Sequence, residues 1–221
     1  MTVWSTYGLS DFLLFSPQTY YRLFELANRD AWPLQAFMLP MGLALLFVLV
    51  RRPAWQGRFA AAVLAASWLW VAWGYHWRRY AAINWAAPWF AAGFALEALF
   101  LIWAGIFRNR LLREPISPAL CRTSVVLYGF ALLLYPFVNP LLGHGWAQVE
   151  LFGIAPDPTV MATLGILLTS NRKRPWILMI IPVFWCAVSG ATLWAMAAPN
   201  ALIPPFAAIL TFLFLTVSGK R

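Results

Sequence analysis

The chain is 221 residues long, 62% hydrophobic and 17% aromatic, and only 10% of its residues are charged. A soluble domain has about a quarter charged residues and less than half apolar ones, so this composition excludes an ordinary soluble domain, a disordered chain, a coiled coil and a disulfide scaffold. A net charge of +9 would suggest nucleic-acid binding in a soluble protein, but in so apolar a chain it indicates basic loops beside membrane crossings. We therefore expect an all-α integral membrane protein whose partner is the lipid bilayer and not nucleic acid.

Residues 1–30 form the first of two predicted regions, an outer amphipathic surface segment. Apolar and charged side chains are mixed there: Phe12, Phe15, Tyr20, Leu23 and Phe24 with Asp11, Arg22 and Glu25. This mixture is typical of a helix that lies in the membrane interface. Ser16 and Pro17 suit the N-cap and the first position of that helix.

Residues 31–221 form the second region, a single polytopic transmembrane domain with seven apolar segments. These are residues 31–50, 59–77, 86–107, 121–139, 158–170, 175–197 and 201–217. Most of them reach the length of about 17–25 residues that a bilayer core requires. We expect a bundle of about seven transmembrane helices.

Basic residues mark one side of this bundle. Twelve of the sixteen lie in alternate loops or at the C-terminus: Arg51, Arg52, Arg58, Arg108, Arg110, Arg113, Arg122, Arg172, Lys173, Arg174, Lys220 and Arg221. The positive-inside rule assigns that side to the cytoplasm. With seven crossings, the N-terminus is then outside and the C-terminus is cytoplasmic.

Glu97 is the one ionisable residue predicted near the middle of a crossing. A carboxyl group at that depth is costly and by default marks a functional site that faces the bundle interior. It is a candidate for carrying a proton or binding a cation, and the alternative is a neutral side chain that hydrogen-bonds two helices together. Polar side chains predicted at the same depth are Ser67, Tyr128, Thr163, Cys186 and Ser189.

The fifth segment is unusually short. Residues 158–170 would form about 20 Å of helix against an apolar core of about 30 Å. Asp157 suits an N-cap and Pro158 a first helical residue. Such a helix would begin below the outer surface and offer its N-terminus to a ligand; alternatively, residues 152–155 complete the span as a bent segment.

Both histidines, His76 and His144, are predicted on the outer side, together with Glu150 and Asp157. These four side chains are candidates for lining an outer cavity. The two histidines with one of the carboxylates have ligand types that suit a divalent metal, and two histidines alone can hold a haem. No ligand-spaced motif joins them, so no cofactor is predicted, and interfacial histidines that only hydrogen-bond are the alternative.

Catalytic and cofactor-binding motifs are absent from the sequence. It contains no GxSxG, HExxH, P-loop or GxGxxG pattern, which favours a non-enzymatic role. Lys173 and Lys220, the two lysines of the chain, fall in predicted cytoplasmic segments, which argues against a retinal-binding protein with a Schiff base.

Three local runs resemble a bacterial family of multi-pass membrane proteins known as a domain of unknown function. They are YGLSDFLLFSP at residues 7–17, INWAAPWF at 83–90 and FGIAPDPT at 152–159. The likeness extends over nearly the whole chain, and the last run is its most specific part. It implies a location in the bacterial inner membrane and transfers no activity to any residue.

Together these features favour a small-solute or ion transporter, proton-linked through Glu97. One alternative is a metal- or haem-binding redox accessory protein with His76 and His144 as ligands. Another is a structural subunit that associates with other membrane subunits. Because few polar residues lie deep in the crossings, large hydrophilic solutes are disfavoured as substrates.

Overall fold

The computed structural model describes residues 14–109, 111, 117–170 and 176–218. All regular secondary structure in this part of the chain is helical. The α-helices are α1 (Pro17–Asp30), α2 (Gln35–Arg51), α3 (Gln56–Trp70), α4 (Ala87–Leu101), α5 (Pro118–Gly129), α6 (Val138–Leu141), α7 (Pro156–Leu167), α8 (Trp176–Ala195) and α9 (Ile203–Ser218). The predicted all-α class is therefore confirmed.

Three of these helices end in π-helical turns. The turn Val71–Trp77 continues α3, Ile102–Phe107 continues α4 and Phe130–Leu134 continues α5. Short 3-10 turns are formed by Tyr80–Ala82, Tyr135–Phe137 and Trp146–Gln148. With these extensions, helices occupy all seven of the apolar segments.

Three helical stretches are long and apolar enough to cross a membrane: Ala87–Phe107, Pro118–Leu141 and Trp176–Ala195. A fourth is added if α1 and α2, which meet at an angle of 93°, count as one broken span. The number of crossings therefore stays a prediction. Of the basic residues behind the predicted orientation, Arg110, Arg113, Arg172, Lys173, Arg174, Lys220 and Arg221 lie outside the described residues.

Helix α1 begins where the sequence predicts. The Ser16 hydroxyl accepts a hydrogen bond from the Thr19 amide, and Pro17 occupies the first turn. One face of α1 is buried by its contacts with the turns at 71–77 and 146–148. An ion pair between Asp30 and Arg79 joins its C-terminal end to the loop after α3. Residues 1–13 of the predicted outer segment lie outside the described residues.

Helix α7 is the centre of the bundle. Every residue from Pro156 to Leu167 is buried, and α7 packs against α3, α5, α8 and α9. The prediction that Asp157 caps this helix is wrong, because Ala155 is the N-cap and Asp157 lies in the first turn. Proline lacks only an amide that the first turn leaves unbonded anyway, so Pro156 begins the helix as readily as Pro158 would. The preceding residues 152–155 are buried as well.

The helices around α7 expose large apolar side chains. Trp89 is 73% exposed, Phe107 76% and Leu141 82%. A monomeric soluble protein rarely exposes contiguous apolar surface of this kind. The arrangement places the most fully buried helix inside a shell whose outer faces match lipid.

Candidate functional site

The Asp157 carboxylate accepts hydrogen bonds from three side chains of two neighbouring segments. Trp185 Nε1 donates to Oδ1 over 2.7 Å, Ser189 Oγ donates to Oδ2 over 2.7 Å, and Tyr135 Oη donates to Oδ2 over 3.1 Å. All four side chains are buried. Because bonds from neutral donors stabilise a carboxylate by replacing its water shell, the three donors offset part of the cost of burying Asp157, and none of them carries a positive charge.

A second buried carboxyl group, Glu150, lies close enough for its charge to interact with that of Asp157. Asn139 Nδ2 donates to its Oε1 over 3.2 Å, and its Oε2 has no hydrogen-bond partner among the described residues. Burial and the neighbouring Asp157 raise the pKa of Glu150 well above its usual range, against a smaller lowering by Asn139. We call Asp157 and Glu150 the outer carboxyl pair.

Neither member of the outer carboxyl pair has an ion-pair partner in the described part of the chain. The ion pairs found there join Arg22 to Glu25 and Arg79 to Asp30. Two buried acidic groups without a cation must share their charge with a proton or with a bound cation, because an uncompensated buried carboxylate is very costly.

His76 lies inside a shell of aromatic rings that includes Trp185, a hydrogen-bond donor to Asp157. Its ring centroid is 4.4 Å from that of Phe94 and 4.8 Å from that of Trp185, and Tyr75, Tyr80 and Phe90 complete the shell. The side chain is fully buried, yet neither ring nitrogen has a hydrogen-bond partner among the described residues. Buried imidazole nitrogens are normally hydrogen-bonded, so this histidine is an exception that requires a reason.

π-helical turns shape two sides of the site. His76 belongs to the π turn at the end of α3, and Tyr135 directly follows the π turn at the end of α5. π-helical turns are rare and occur frequently at functional sites. Both α3 and α5 pack against α7, so the two π turns are consistent with a built site.

Residues 142–155 contact α1 through hydrogen bonds and ring stacking. Asn28 Nδ2 donates to the carbonyls of Ala147 and Val149 over 3.0 and 2.8 Å. His144 stacks on Tyr21 with ring centroids 3.6 Å apart, and burial lowers its pKa.

The two histidines thus contact different sets of aromatic rings, His76 in the core and His144 against α1. In the described ranges, no group of three or more His, Cys, Asp or Glu side chains is placed to hold a metal ion. The use of His76 and His144 as ligands of a divalent metal stays a prediction. The use of the two imidazoles as haem ligands remains a prediction.

Glu97, predicted as the intramembrane carboxyl group, is fully buried on α4. Both of its carboxyl oxygens lack a hydrogen-bond partner among the described residues. Its predicted neighbours bond elsewhere: Ser67 donates to the Val63 carbonyl, Tyr128 to the Gly42 carbonyl, Thr163 to the Thr159 carbonyl and Ser189 to Asp157, while Cys186 is buried on α8. Glu97 is therefore an isolated acid inside apolar packing.

Sequence reasoning missed Tyr135, Trp185 and Asn139. Tyr135 and Trp185 were each embedded in an apolar segment, where an aromatic residue is ordinarily a packing residue. The spacing of residues within one helix does not indicate that hydrogen-bond donors from α8 and from the turn after α5 contact Asp157 on α7. A useful signal was Asp157 itself, an acid beside an apolar segment with no basic residue nearby in sequence.

Residues 17–220 match the model of a family described as a family of unknown function (DUF6064). The match covers most of the chain, so the protein belongs to that family, in agreement with the resemblance of its local sequence runs. No curated protein and no solved structure matches the chain.

Proposed function

We propose that this member of the DUF6064 family is a multi-pass protein of the bacterial inner membrane that transports a small solute or ion with the help of protons. The outer carboxyl pair is the site at which a proton enters. The observation that carries this proposal is a pair of buried, interacting carboxyl groups without a basic partner in the described part of the chain.

The membrane setting is supported by the apolar outer faces of the bundle and by its three long apolar helices. In the proposed topology, seven helices cross, the N-terminus is outside and the C-terminus is cytoplasmic. The ion pair between Asp30 and Arg79 is consistent with this orientation, because it joins two segments that the charge pattern assigns to the outer side.

The different hydrogen bonds of the two carboxyl groups give them different roles in the proposed mechanism. Asp157 has three neutral donors and therefore retains the negative charge, whereas Glu150 has one donor and a free oxygen and therefore holds the exchangeable proton. Two like charges so close together inside a protein cannot both be ionised at low cost. Loss of the proton from Glu150 leaves a site with two charges that a small cation or a new proton neutralises.

Proton flux into reconstituted vesicles tests this proposal. Vesicles that contain the wild-type protein and an entrapped pH-sensitive dye are given an inside-negative potassium diffusion potential. We expect faster internal acidification than in empty liposomes, and a loss of that excess in Glu150→Gln and Asp157→Asn.

Glu25→Gln is the matched control, because Glu25 is a carboxyl group on α1 that pairs with Arg22 at the surface. Its flux should equal that of the wild type. Wild-type acidification no faster than in empty liposomes, or full flux in Glu150→Gln protein that elutes as the wild type does, would contradict the proposal.

A further inference from the structure

Resting on the proposed function, we infer that a proton taken up at the outer carboxyl pair passes through His76 to Glu97, which is a second proton-binding site in the middle of α4. The route follows the interface of α3, α4 and α8. Four buried polar atoms that have no hydrogen-bond partner within the described ranges lie along it: the two ring nitrogens of His76 and the two carboxyl oxygens of Glu97.

The first part of the route is fixed by Trp185. Its indole nitrogen donates to Asp157, and its ring packs 4.8 Å from His76 and 5.3 Å from Phe94. A single aromatic side chain thus contacts both the acid of the outer pair and the histidine.

The second part of the route runs along α4. Phe94 contacts His76 at a centroid distance of 4.4 Å, and Glu97 lies one turn further along the same buried face. Residues three positions apart on a helix are surface neighbours. Phe94 thus contacts His76 and lies one helical turn from Glu97 on α4.

On α8, which packs against α4, one backbone carbonyl lacks its usual helical donor. Pro182 has no amide hydrogen, so the carbonyl of Leu178 lacks its usual helical donor. Ile181 of α8 lies opposite Gly93 of α4. A Cβ atom added to Gly93 would be 4.0 Å from the Ile181 side chain. Glu97 follows Gly93 by one turn on α4, and Leu178 precedes Ile181 by one turn on α8.

The chemistry of the His76 imidazole suits the transfer of a proton between the two acidic sites. An imidazole accepts a proton at one ring nitrogen while it releases the proton of the other, so it is neutral before and after the transfer. Burying four polar atoms without partners is costly, so the inferred route requires water molecules that bridge them. His76, unlike His144, thereby gains a reason for its burial.

Infrared difference spectroscopy of reconstituted protein tests the inference independently of flux. The C=O stretching band of a protonated carboxyl group, absent from Glu97→Gln, identifies the proton on Glu97. On transfer to deuterated buffer this band shifts, and the rate of the shift reports how fast the Glu97 proton exchanges. We expect His76→Phe, which preserves ring packing, to slow that exchange about tenfold or more.

His144→Phe is the matched control and should leave the exchange rate unchanged, because His144 lies against α1. His76→Asn, which keeps hydrogen-bonding groups at the site, guards against a packing artefact and should restore part of the rate. The inference is overturned if Glu97→Gln removes no carboxyl band, or if His76→Phe exchanges as fast as the wild type. Either result can occur with full Glu150-dependent proton flux, so failure here is distinguishable from failure of the proposed function.

Discussion

Asp157 and Glu97 are equally buried, with 1% and 0% of their surfaces exposed, but their surroundings differ completely. Asp157 accepts hydrogen bonds from Tyr135, Trp185 and Ser189, whereas Glu97 has no partner among the described residues. The comparison teaches that burial alone does not define the role of an intramembrane acid. An acid with three donors is part of the architecture, and an acid with none contributes nothing to folding that a neutral side chain could not.

The position of each acid in its helix explains the difference. Asp157 lies in the first turn of the central helix, where side chains from α8 and from the 3-10 turn Tyr135–Phe137 converge on it. Glu97 lies in mid-helix between residues of small or apolar type. The two sites therefore predict opposite responses to substitution.

Replacing Asp157 should have the largest effect on stability. Asp157→Leu removes the acceptor and leaves the Tyr135, Trp185 and Ser189 donors buried without partners, which should lower the free energy of unfolding by about 3 kcal/mol. Asp157→Asn retains one acceptor oxygen and should cost about 1 kcal/mol. Equilibrium unfolding in mixed detergent micelles measures the free energy of unfolding of both variants. Equal stability of the wild type and Asp157→Leu would mean that Asp157 does not stabilise the fold.

The pH dependence of stability should reveal Glu150. Its pKa is raised in the folded state, so the folded protein binds the extra proton and is favoured at low pH. As pH rises above the usual carboxyl range, the free energy of unfolding should fall by about 1.4 kcal/mol per pH unit, until the folded-state pKa is reached. Glu150→Gln should flatten this decline in thermal unfolding scans across pH, and a decline as steep as that of the wild type would assign the effect to another group.

Patterns of hydrophobicity and charge in the sequence predict the helices and single out Glu97. They do not reveal contacts between side chains that are distant in sequence. Helix positions follow from apolar length, and the α1 start follows from Ser16 and Pro17, because both are local properties. Glu97 stands out as a charge within an apolar run. Asp157 was interpreted through its neighbour Pro158 as a cap, since nothing in the local sequence reveals donors that approach from α8 and from the end of α5.

Removing one donor at a time should produce smaller effects than removing their shared acceptor. Tyr135→Phe and Ser189→Ala each delete one hydrogen bond to Asp157 Oδ2 and should each lower the free energy of unfolding by about 1 kcal/mol. Because the two donors bond to the same oxygen, the double variant should deviate from the sum of the singles. Strict additivity in the unfolding measurements would mean that they act independently of Asp157.

Replacing Glu97 should have the smallest effect on stability. Glu97→Leu removes a buried carboxyl group that has no protein partner, so no donor is left unpaired and the cost of burying a polar group disappears. The expected change in the free energy of unfolding is within about 0.5 kcal/mol of zero or on the stabilising side. The same variant should lose the carboxyl band in the infrared spectrum. Unchanged stability together with the lost band would mean that Glu97 binds a proton but is dispensable for folding. A loss of stability as large as that of Asp157→Leu would instead mean that Glu97 stabilises the fold as Asp157 does, which would contradict the proposed difference between the two acids.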